Sequence, residues 1–84
     1  MSMQDWKLDR YGRHVLQYRH YTCCIIEDRG TFVWEILVPA HTNKGPTVIC
    51  LCWAEANTLE EAKEVAEEAM AVEIVEEAIH TVSK

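Results

Sequence analysis

The chain has 84 residues, 49% hydrophobic and 26% charged, with a net charge of −6 at neutral pH. That length allows one domain, residues 1–84, around one modest core that self-association would help to complete, and the composition excludes a disordered tail. No apolar run is long enough to span a membrane, and no basic start leads into an apolar segment with a small-residue cleavage site, so the cytoplasm is the expected compartment.

Residues 1–13 contain polar residues with Trp6, Leu8 and Tyr11, then Gly12, and are expected to form an arm or a short strand. Residues 14–18 are expected to be extended. Residues 21–27 are rich in β-branched and aromatic types and end at Asp28-Arg29-Gly30, a turn signal with glycine where a positive φ is needed. A hairpin follows, with its second arm over 31–38 ending at Pro39. Residues 40–46 read as a loop and 47–55 as a third strand.

The helix start is the sharpest boundary in the chain, because Thr58 followed by Glu61 makes a capping box. From residue 59 to 70 the apolar positions are Leu59, Ala62, Val65, Ala66, Ala69 and Met70, which gather on one side of a helical wheel. From residue 71 onward they are Ala71, Ile74, Val75, Ala78, Ile79 and Val82, centred roughly 180° away at about 100° per residue. No Gly or Pro occurs after Pro46, so nothing in the sequence breaks the helix where its apolar face changes sides. The expected fold is α+β: a three- to four-stranded antiparallel sheet followed by one long C-terminal helix packed on one face, in the order β-β-β-α. The distal half, 71–84, is expected in an oligomer interface.

The strands also suggest uncovered surface. Strict alternation over the third strand puts Val48, Cys50, Cys52 and Ala54 on one small-residue face suited to the helix, and Ile49, Leu51 and Trp53 on the other. One helix covers only one face of a sheet, so a second apolar face is expected to be an interface unless Trp6 folds over it. The expected dimer contacts are therefore Ile74, Val75, Ala78, Ile79 and Val82 on the helix, with Ile49, Leu51 and Trp53 on the sheet.

Charge is segregated. Eight glutamates stand between positions 60 and 77 against Lys63 alone, whereas residues 1–58 balance six acids with six bases. An acidic helix repels phosphate backbones and suits a basic protein surface, which makes Glu60, Glu64, Glu67 and Glu68 the expected partner-binding residues. The opposite pattern runs from Arg10 to Tyr21, where Arg10, Arg13 and Arg19 interleave with Tyr11, Tyr18 and Tyr21. Arg10, Arg13, Arg19 and Tyr18 are thus the contacts of an alternative reading, a nucleic-acid-binding module that stacks bases and touches phosphates.

No reaction is indicated. Cys23, Cys24, Cys50 and Cys52 lack metal-ligand spacing and read as free thiols packed as small hydrophobes. The four histidines are scattered, and the isolated glycines form no phosphate loop. No catalytic residue, cofactor or metal is expected.

The hairpin bearing Phe32-Val33-Trp34-Glu35, the strand ending in Trp53-Ala54 and the helix opening Thr58-Leu59-Glu60-Glu61-Ala62 resemble the β-β-β-α pattern of small bacterial and phage proteins, and the amino-terminal domain of HicB-type antitoxins. Residues 39–46 depart from that family's segment before the third strand, and the resemblance supplies no functional residues. The expected function is that of a small acidic protein–protein interaction protein. It would be a homodimer that binds and inhibits a basic, nucleic-acid-handling partner, as an antitoxin or a phage inhibitor of a host defence enzyme does.

Overall fold

The computed structural model describes residues 6–82, with side chains through Ile79. Trp6 is thus the first described residue of the expected arm, and the side chain of Val82 lies outside the described residues. The chain forms β1 (Lys7–Leu8), β2 (His14–Tyr18), β3 (Tyr21–Asp28), β4 (Thr31–Thr42), β5 (Gly45–Ala56) and α1 (Leu59–Val82). The five strands form one antiparallel sheet in sequential order, one strand more than the upper expectation.

Each strand-to-strand connection after β2 is a two-residue hairpin. Arg29 and Gly30, at φ 56° and 86°, join Asp28 to its partner Thr31, the conformation that matches strand twist and that glycine enters without cost. Arg19, also at φ 56°, turns Tyr18 back to Tyr21.

Two expectations about β4 and β5 fail. Pro39 does not end its strand, nor do residues 40–46 form a loop: Pro39 pairs with Val48 and His41 with Pro46, and the turn lies at Asn43-Lys44. Proline is tolerated at 39 because β3 pairing stops at Thr22 and Leu37, leaving no ladder on that side to interrupt, and at 46 because β5 is an edge strand.

The second failure concerns the faces of β5. Ile36 pairs with Cys52 but Leu37 pairs with Cys50, so Leu51 is an extra residue in a β-bulge. Beyond the bulge the alternation changes phase. Ile49 pairs with Val38 on the helix side, while Cys50 and Val48 pair with Leu37 and Pro39 on the opposite face. The expected sets Val48/Cys50/Cys52/Ala54 and Ile49/Leu51/Trp53 are therefore both divided.

The core lies between the sheet and α1. Leu16, Tyr21, Cys23, Ile25, Trp34, Ile36 and Ala56 from the sheet meet Ala62, Ala66 and Met70 from the helix. Ala62 and Ala66 are wholly buried, which lets the helix approach the strands closely. Leu59, Val65 and Ala69 pack at the margin, so the whole first-half apolar stripe docks as expected.

Thr58 Oγ1 accepts the Glu61 amide at 3.1 Å, and Glu61 reaches back to the Asn57 amide at 3.2 Å. The capping box therefore closes one residue earlier than the simplest form of the motif, which uses the cap's own amide. The helix is continuous for 24 residues, about 36 Å at 1.5 Å per residue.

Candidate interaction surfaces

Among the described residues α1 is the one helix packed on the sheet, and it lies on one side, so the second sheet face carries no covering element. It carries a groove of about 660 Å³ whose lining includes Lys7, Val15, Cys24, Leu37, Pro39 and Val48. Further along the same face Trp53 pairs with Glu35 at the β5 edge and stands 62% exposed. Val48, at 60%, is nearly as exposed.

Trp6 does not cover this face. It packs on the helix side and donates its indole N–H to Glu67 at 2.7 Å. The turn between β1 and β2 does reach the groove. Asp9 accepts the amides of Tyr11 and Arg13, each at 2.9 Å, and takes the Arg13 guanidinium at 2.7 Å. Desolvation pushes the Asp9 carboxyl up, but these bonds and the Arg13 charge outweigh it and hold the group below its ordinary range.

The expected acidic face divides by function. Glu60, Glu64 and Glu68 are exposed at four-residue intervals along α1 and project to solvent, whereas Glu67 sits partly buried against Trp6. On the distal half, Ala71, Val75, Ala78 and Ile79 are exposed together with Val72, which the wheel had not singled out. Ile74 instead packs on the chain's own core.

The distal half is also tied down by polar contacts. Tyr21 donates its hydroxyl toward the Glu77 carboxylate at 3.2 Å, and His20 Nε2 lies 3.1 Å from the same group. The Tyr21 phenol is held above its ordinary range, first by burial and then by the Glu77 charge. These contacts anchor α1 over the β2–β3 turn, which sequence reasoning missed because the partners stand more than fifty positions apart.

The Arg/Tyr segment does not form one patch. Arg10 and Arg13 lie over the Tyr11 ring, at 5.9 and 5.3 Å, at one end of β2; Arg19 lies 5.4 Å from Tyr18 at the other. Tyr18 itself packs against the core and the Arg13 guanidinium is occupied by Asp9.

The thiols are separated too. Cys23 is fully buried on the helix side, where desolvation foremost pushes it up to about 12; burial likewise raises Cys24 and Cys52. Such thiols stay protonated near neutrality and make poor nucleophiles. Cys50, expected in the core, is exposed because the bulge turns it outward. Among the described residues no cluster of three or more His, Cys, Asp or Glu is placed to hold a metal ion, and no helix is long and apolar enough to cross a membrane.

No family model matches the chain, and no curated protein or solved structure is significantly similar to it.

Proposed function

We propose that this chain is a binding protein that acts as a homodimer, with its bare sheet face turned inward and its acidic helix turned outward toward a basic partner. The observation that carries the reading is the one-sided sheet. One face is sealed by α1, while the other leaves an apolar groove, Val48 and Trp53 open to water. Exposed apolar surface of that kind is costly in a chain this small and is characteristic of interfaces.

Glu60, Glu64 and Glu68 supply the outward charge. Their negative potential favours proteins that themselves handle nucleic acids, and occupation of such a basic surface inhibits it, in the manner of an antitoxin or a phage anti-defence protein. The test is binding to a panel of basic nucleic-acid-handling proteins across a salt series. Association that weakens with salt and is lost on charge reversal of Glu60, Glu64 and Glu68 supports the reading. Binding to none of the panel, or binding indifferent to salt, rejects the acidic docking surface.

A further inference from the structure

The strand register aligns five residues in one row across the bare face: Lys7, Val15, Cys24, Glu35 and Trp53, one from each strand. The row is polarised. A cation stands at the β1 end, an acid and an exposed indole stand at the β5 end, and Cys24 marks the middle. The groove runs obliquely across the face, from Lys7, Val15 and Cys24 to Leu37, Pro39 and Val48, and Trp53 stands outside its lining. Trp53 is a knob at the β5 edge of the row, and the Lys7 end of the groove is a hole at the opposite edge.

We propose that the occupant of this face is the same face of a second copy, packed as a two-sheet sandwich about a two-fold axis that runs along the strands near Cys24. Such an axis lays the β1 side of each protomer over the β5 side of its partner. Trp53 then enters the partner's groove beside Lys7, an ammonium–indole contact, and Glu35 lies over the partner's Val15, one strand from its Lys7.

The charges select this axis over the alternative. A two-fold axis across the strands along this row would set Lys7 over Lys7, Glu35 over Glu35 and Trp53 over Trp53, opposing like charges and keeping Trp53 away from the Lys7 end of the groove. Face-to-face sheets about 10 Å apart, with strands within about 30°, are an ordinary packing. An isologous contact also closes at two copies, whereas the outward helix stripe resting on a neighbour's bare face would build an open filament. A β5-to-β5 edge pairing is opposed by the bulge at Leu51, which puts residues on either side of it in opposite facing order.

The inference rests on the homodimer reading, and sedimentation equilibrium with charge-reversal variants separates the two. The expected result is a dimeric wild type, weakened about 30-fold by Trp53→Ala, the size of loss typical of an interface hot spot. Lys7→Glu and Glu35→Lys should each weaken it, the double variant should recover much of the loss, and Val75→Asp on the helix should leave it unchanged. Circular dichroism verifies that each variant is folded. A monomeric wild type overturns both the sandwich and the homodimer. A dimer indifferent to Trp53→Ala and to both reversals, or one dissociated by Val75→Asp alone, overturns the sandwich and leaves the homodimer standing.

Discussion

Trp6 and Glu67, 61 positions apart, are joined by a 2.7 Å hydrogen bond from the indole N–H to the carboxylate. The bond ties the start of the described chain to the first half of α1 and holds the Trp6 ring on the helix side, away from the opposite sheet face. Trp6→Phe keeps an aromatic ring of smaller bulk and removes the donor. Loss of a partly buried bond to a charged acceptor is expected to cost about 1.5–3 kcal/mol, measured by urea unfolding, while Glu67→Gln, whose amide oxygen still accepts, should cost less.

Ala62 and Ala66 are wholly buried where α1 crosses the strands. A larger side chain there has no void to fill and must lift the helix. Ala66→Leu is therefore expected to destabilise by about 1–3 kcal/mol, read as a shift in denaturation midpoint. The same substitution at the exposed Ala71 should change stability by no more than about 0.5 kcal/mol.

The cysteines should react in an order set by the bulge. Cys50 is exposed, Cys52 and Cys24 are progressively more covered, and Cys23 is sealed with its thiol pushed up to about 12. Alkylation of the native protein at neutral pH, followed by mass spectrometry, should label Cys50 first and Cys23 only after unfolding.

Burial of Cys23 also sets an alkaline limit. Its thiol rises from an ordinary 9.0 to about 12, so the folded state favours the protonated form. That contribution is complete below pH 9, where the unfolded chain is protonated as well, and is lost progressively as the pH climbs from 9 toward 12. Tyr21, raised from 10.0, acts in the same direction. Urea midpoints should fall above pH 9, and less steeply in Cys23→Ala than in the wild type.

Much of the fold was legible because it is written locally. The Asp28-Arg29-Gly30 turn, the Thr58/Glu61 cap and the six-residue stripe from Leu59 to Met70 are each short-range chemistry, and each appears where the residues place it. The errors lie where neighbours decide. Pro39 and Pro46 look like breakers, but they are harmless on strands that lack a neighbour on one side, and only the topology reveals that. The bulge at Leu51 leaves no mark in an unbroken run of strand-forming residues from Val48 to Trp53, yet it moves Cys50 and Val48 to one face and Ile49 to the other. Of the candidate surface, the apolar excess and the charge segregation were readable. The groove was not, because Lys7, Val15, Cys24 and Leu37 meet only through the register of four strands.

We infer that this chain completes itself with a second copy. Sedimentation equilibrium of the wild-type protein over a range of concentrations tests it most directly. The expected species has twice the 9.7 kDa chain mass and dissociates reversibly on dilution; a single 9.7 kDa species at every concentration would rule out the dimer.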